Sequence, residues 1–186
     1  FDAAEAGGQI VFRPRGGAPE IELDEDDCVA SDRGAPVKLS RMQETELPRE
    51  ITLGFSDADA EYRRGSASSR RLVGGATRLM QSEVAMVTNA AATSRRADIW
   101  LQDLWAGRES ADFALPLSRL ALMPGDTLAL TAGGRRRLFE LRGIVDTASR
   151  AIQARAIDPE IFNVPLPSAS VAPPSVPPAI GPVEVR

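Results

Sequence analysis

Residues 120–130 read L-A-L-M-P-G-D-T-L-A-L, two short apolar runs on either side of Met123-Pro124-Gly125-Asp126. Proline in the second position of such a quartet presets φ, and glycine in the third takes the positive φ that a type II turn requires. The stretch therefore predicts a reversal between two extended segments, 119–122 and 127–130. Upstream, residues 88–106 carry small side chains at helical spacing and end in Trp100 and Trp105. Ala90, Ser94, Ala97, Leu101, Leu104 and Trp105 recur three and four apart, so they share one face of a helix. Thr88 or Asn89 can cap its start, and Gly107 stands where a C-terminal glycine belongs. This is the one long helix the sequence predicts, over about 88–106.

Strand candidates lie on both sides of it. Downstream they are 113–115, 137–144 and 148–156, with Gly133-Gly134 as a hairpin signal. Upstream, Q-I-V-F-R (9–13) and P-E-I-E-L (19–23) flank P-R-G-G-A and predict a hairpin. Residues 20–23 alternate polar and apolar, as a half-buried antiparallel strand does. Further strands are expected at 37–42, 50–55 and 79–84, with 62–69 as a polar loop. One helix among many short strands gives an α+β fold, predominantly antiparallel β.

Composition excludes several chemistries. The 186 residues contain no His and one Cys, Cys28. Ser-His-Asp and Cys-His catalysis, the 2-His-1-carboxylate iron site and Cys/His zinc sites are thereby removed. An intrachain disulfide is impossible, and a lone Cys is usually a small apolar filler. A net charge of −4 argues against bulk electrostatic binding of nucleic acid. Only Lys38 of the 22 basic residues is lysine, a bias first attributable to a GC-rich genome. No run approaches the ~20 apolar residues of a membrane helix. Eight of the fourteen prolines fall between Pro159 and Pro182. That stretch predicts a stiff, extended connector. With Phe1 at its start, the chain reads as a segment of something longer.

The charged clusters each carry a structural and a chemical reading. Asp24-Glu25-Asp26-Asp27 lacks the spaced pattern of a calcium loop and is expected to be a solvated turn. Asp57, Asp59 and Glu61 contain the carboxylates a glycosidase needs. With aromatics at 5% and none clustered nearby, no catalytic role is assigned. Gly74-Gly75 is not followed by the G-K-[ST] of a phosphate loop. The interface candidates are Arg63, Arg64, Arg70 and Arg71 around the Ser/Gly-rich segment, Arg135, Arg136 and Arg137 at a hairpin tip, and Trp100. Trp105 is expected in the core. No cofactor and no metal ligand set is predicted.

E-L-P-R-E-I-T-L-G-F-S-D-A-D-A-E-Y-R-R-G-S-A-S-S-R-R (46–71), the helix ending L-Q-D-L-W-A-G-R (101–108), F-A-L-P (113–116) and M-P-G-D-T-L-A-L (123–130) together resemble the baseplate-hub region of long phage tail-tip proteins. The likeness is to the large "megatron" tail protein of gene transfer agents and related siphophages of alphaproteobacteria, and more distantly to the lambda-type tail-tip attachment protein. It covers roughly residues 9–162. The resemblance implies β-barrel-like hub domains arranged as a homotrimer, closing the distal tail tube and supporting host attachment and DNA delivery. It implies a first hub domain reaching to residue 45, a second over 46–162 and a Pro-rich linker over 163–186. Implied partners are the distal tail protein, the hub protein and tail-tip components, with the host envelope engaged indirectly and DNA passing transiently. The implied location is the tail tip of a virion or phage-like particle, assembled in the bacterial cytoplasm. A carbohydrate-binding or peptidoglycan-processing module is the competing reading. It requires two carboxylates roughly 5–10 Å apart in a cleft with aromatic platforms.

Overall fold

A computed structural model describes residues 2–6, 8–13, 15–30, 34–72 and 74–163. The strands are β1 (Asp2–Ala6), β2 (Gln9–Arg13), β3 (Ile21–Asp24), β4 (Val37–Arg41), β5 (Pro48–Asp57), β6 (Arg64–Arg70), β7 (Arg78–Thr88), β8 (Glu109–Leu115), β9 (Thr127–Ala132), β10 (Arg135–Asp146) and β11 (Arg150–Ala156). The helices are α1 (Ala90–Ala106) and the one-turn α2 (Glu160–Asn163). The expected connector, residues 163–186, lies outside the described residues from position 164 on.

The Pro-Gly-Asp quartet folds as its residue types dictate. Gly125 has φ 91°, and the Asp126 N–H closes the turn on the Met123 carbonyl at 3.1 Å. The buried Asp126 carboxylate accepts the Met123 N–H at 2.7 Å. Two further backbone bonds fasten the turn to β10: Gly125 N–H to the Leu141 carbonyl, and Leu141 N–H to the Asp126 carbonyl. The polypeptide then runs through β9 and reverses at Gly133-Gly134, both at positive φ, into β10. The other arm of the turn is not a strand. After Pro116 the chain takes a 3-10 turn at Leu117–Arg119, and the Arg150 guanidinium donates to the Arg119 carbonyl at 2.6 Å, which holds residues 119–122 coiled.

Six strands form one sheet in the order β3-β9-β10-β11-β8-β4, antiparallel except for the parallel β3–β9 pair. Every strand, both edges included, contributes to one apolar cluster, with Leu23, Val37, Phe113, Leu128, Leu130, Phe139, Leu141 and Ile152 among its members. A second sheet, β6-β5-β7, is covered by α1 through Leu47, Ile51, Leu53, Ala97, Leu101 and Trp105. The small N-terminal half of the helix lets it approach closely. In chain order this three-stranded unit lies between β4 and β8, which pair directly with each other. Strand pairing therefore crosses the expected boundary at residues 45/46.

Three expectations are corrected. Residues 9–13 and 19–23 do not form a hairpin: β2 pairs with β1, and β3 joins β9. Burying Leu23 in the six-stranded core outweighs pairing with β2, whose Ile10 and Phe12 stay exposed. Residues 62–69 are not simply a loop, because β6 occupies most of them. Gly65, Ala67 and Ser69 are its half-buried side, and a Cβ on Gly65 would come within 2.8 Å of the Phe55 ring. The buried side of α1 includes Thr93 and Asp103, while Ala90 and Ser94 are exposed.

Candidate assembly interface

The acidic run is consumed locally. Asp24 caps the turn Glu25–Asp27, accepting the Asp26 and Asp27 N–H groups at 3.0 and 3.1 Å. Glu25 accepts the Gly133 N–H at 2.6 Å, which docks the β9–β10 tip on this turn. Half-buried Cys28 sits beside these carboxylates. Burial first, then Asp27, Asp24 and Glu25, push its thiol up to about 11. A shift of that size leaves roughly a hundredfold less thiolate near neutral pH. Cys28 is expected to alkylate about a hundredfold slower in the folded chain than after denaturation, measured with iodoacetamide at pH 8. Equal rates would refute its burial.

Most of the candidate arginines make contacts within the chain. Arg63 pairs with Glu61 at 3.2 Å and Arg64 with Glu83 at 2.8 Å, in largely exposed pairs worth little to stability. Arg70 reaches Glu50 at 2.6 Å, Arg136 reaches Glu22 at 2.7 Å and Arg137 reaches Glu109 at 2.9 Å. Arg135 has no ion-pair partner among the described residues. Arg71 lies over the Trp105 ring, 4.2 Å from its centroid. Trp105 is buried as expected, its indole N–H donating to the Pro48 carbonyl at 2.9 Å, while Trp100 is half-buried against the same cluster.

A network that residue spacing did not reveal joins the two sheets. The buried Asp103 carboxylate faces Arg155 of β11 at 3.2 Å and Arg15 at 3.4 Å. Arg155 also donates to the Asp103 carbonyl at 2.7 Å and to the Gly107 carbonyl at 3.3 Å. Gly107 has an ordinary φ of −78°, so its role is space: a Cβ there would overlap the Arg155 guanidinium. Gly107→Ala is expected to cost about 1–3 kcal/mol through this overlap. That corresponds to a melting temperature lower by roughly 2–12 °C, and an unchanged midpoint would refute the steric role.

Two surfaces lie at opposite ends of β6. At one end, residues 57–63 form the β5–β6 turn, in which the Tyr62 N–H donates to the Asp57 carbonyl at 2.8 Å and the Asp59 N–H to the Asp57 carboxylate at 3.0 Å. Asp57, Asp59 and Glu61 thus sit on a protruding tip. At the other end is a cleft of about 450 Å³, with Leu101, Trp105 and Ile161 in its wall and Arg70, Arg71 and Arg108 around it. Arg108 pairs with Glu44 at 3.0 Å. The Gly75 N–H and then Arg108 hold the exposed Glu44 carboxyl below its usual range. Among the described residues no three metal-ligating side chains converge, and no helix is long and apolar enough to cross a membrane.

The family model described as "Putative phage tail protein" matches residues 1–144. The chain belongs to this family. It is accordingly a component of a phage-like virion tail. The phage tail protein is similar in fold to a chain in the virion of a native gene transfer agent particle: 24% identity, TM-score 0.80, covering 86% of this chain and 36% of that one. It is also similar to the 43 kDa tail protein of prophage MuSo2 from Shewanella oneidensis: 14% identity, TM-score 0.50, covering 80% of this chain and 48% of that one. The phage tail protein thus spans about a third to a half of these relatives' lengths. No curated protein matches it in sequence.

Proposed function

We propose that this chain is part of the tail-tip hub of a phage-like particle, of the megatron and lambda tail-tip type. Three copies surround the axis at the distal end of the tail tube. They contact the distal tail protein and other hub components, support host attachment without binding the envelope directly, and frame the exit through which DNA is delivered. The observation that carries this reading is the likeness, over most of the chain, to part of a longer chain in a gene transfer agent virion. The six-stranded sheet and the helix-covered sheet act as the two rigid lobes of the module. The Pro-rich composition of residues 163–186 supports a connector role for that segment.

The test is to insert a short affinity tag at the exposed β10–β11 turn, residues 147–149, and to label intact particles with gold. Labels at the distal end of the tail, in threefold stoichiometry, are expected. Labels along the tube or at the head–tail junction would overturn the hub reading.

A further inference from the structure

We propose that the β5–β6 tip of one copy of this chain seats in the Trp105 cleft of a neighbouring copy, giving a head-to-tail contact between subunits. The inference rests on the trimeric reading above and supplies the contact that reading requires.

The tip has the form of an inserting element. Glu61 and Tyr62 both adopt left-handed backbone, with φ 52° and 61°. L residues with bulky side chains rarely do so, and such conformations cost of order 1–3 kcal/mol each. The result is a tyrosine held 69% exposed beyond the end of the sheet. Tyrosine combines a large rigid ring with a polar end at low entropic cost, and tyrosine and arginine are the residues enriched where interfaces concentrate their energy. Asp57 and Asp59 give the tip carboxylates with no ion pair among the described residues, while Glu61 is paired with Arg63 at 3.2 Å.

The cleft has the complementary chemistry. Leu101, Trp105 and Ile161 form its buried floor, and the accessible rim is chiefly arginine. Arg71 sits over the Trp105 ring, 4.2 Å from its centroid, as a platform for an aromatic side chain. It has no ion-pair partner among the described residues, which leaves its guanidinium available to a carboxylate. The two aspartates that also line the cleft are engaged: Asp98 accepts from Ser69 at 2.7 Å and from Gln102 at 3.3 Å, and Asp158 accepts the Glu160 N–H at 3.1 Å. Their presence and the net charge of −4 disfavour a polyanion as occupant. An acidic, tyrosine-bearing peptide turn suits the site better, and this chain carries one.

Geometry dictates that the turn comes from another copy. The tip and the cleft terminate opposite ends of a seven-residue strand, roughly 20 Å apart at ~3.3 Å per residue. A chain cannot fill its own cleft. A contact between two different patches of identical subunits is heterologous, and it closes into a ring when the rotation permits.

Cross-linking in intact particles tests the contact. In a Cys28→Ser background, Tyr62→Cys and Gln102→Cys together are expected to give a ladder of two and three linked copies under mild oxidation. Each single variant is expected to give none. No ladder from tip-labelled, correctly located particles overturns the contact and leaves the hub reading standing, whereas misplaced gold labels overturn the hub reading. Dimers from Tyr62→Cys alone would overturn the head-to-tail arrangement. A second variant, Tyr62→Ala, removes the exposed ring while keeping the Cβ and the left-handed backbone, and does not touch the core. It is expected to lower incorporation into particles about tenfold or more at unchanged melting temperature, and normal incorporation overturns the proposal.

Discussion

Leu128→Asp is expected to abolish folding of the six-stranded sheet. Leu128 is fully buried and pairs in register with Phe139 on one side and Ile21 on the other. Truncating a leucine in such a place costs about 2–5 kcal/mol through lost transfer energy and the cavity left behind. The introduced carboxylate adds the penalty of a buried charge without a partner. Together these exceed roughly 5 kcal/mol, against a total stability of about 5–15 kcal/mol for a domain. Leu141→Asp should behave alike. Leu120→Asp is the control, because that side chain is 58% exposed, and surface changes usually stay within about 0.5 kcal/mol. Soluble yield and thermal melting distinguish the three. A folded Leu128→Asp chain would refute the strand register, and an unfolded Leu120→Asp chain would refute the exposure of that side chain.

Asp103→Ala has the second largest expected effect. It removes the carboxylate that Arg155 and Arg15 share, from a side chain only 9% exposed. Deleting one partner of a fully buried pair typically costs about 3–5 kcal/mol. Because the guanidiniums left behind are 22% and 28% exposed, the low end, about 3 kcal/mol, is expected here. The loss should fall between the two sheets, since Asp103 belongs to α1 and Arg155 to β11. Hydrogen exchange is therefore expected to rise in the second half of α1 and in β11, ahead of the rest of the six-stranded sheet. Asp103→Asn keeps the shape and one acceptor and should lose less. A denaturation midpoint that barely moves in the alanine variant would show that apolar packing alone holds the lobes.

The elements that were legible in the sequence are those fixed by local chemistry. Pro124-Gly125 and Gly133-Gly134 specify backbone conformations that few other residues adopt, and both turns occur where expected. Asn89 starts the helix because its side chain accepts the Ala92 N–H at 2.9 Å. Gly107 ends it with an ordinary φ and is required by the approach of Arg155 from β11, not by the helix end itself. Strand β6 was illegible for an equally physical reason. Its alternation is between small and polar side chains, so hydrophobic periodicity carries almost no signal. The strand exists because α1 and the Phe55 ring need a flat, small-residue surface to cover. Residues 119–122 erred the other way, since an apolar run looks extended until a guanidinium from β11 draws it into a coil.

The candidate interface residues divide on the same line. The arginines around 63–71 drew attention as exposed charge beside small residues, and they lie at the tip and the cleft at the two ends of β6. Asp103 gave no signal as a buried residue, because nothing local says that an aspartate in the last turns of a helix will meet two guanidiniums from segments far away in the chain. By itself the sequence determined the fold class, the turns at Pro124-Gly125 and Gly133-Gly134, the helix and the membership of the phage tail proteins. Each of these follows from short-range backbone preferences and from the order of motifs. Only the tertiary structure decided that β3 lies parallel to β9, that β4 closes on β8 around an inserted lobe, and that Asp103 fastens the two sheets. These depend on which distant apolar faces and charges can be buried together, and burial is a property of the whole chain.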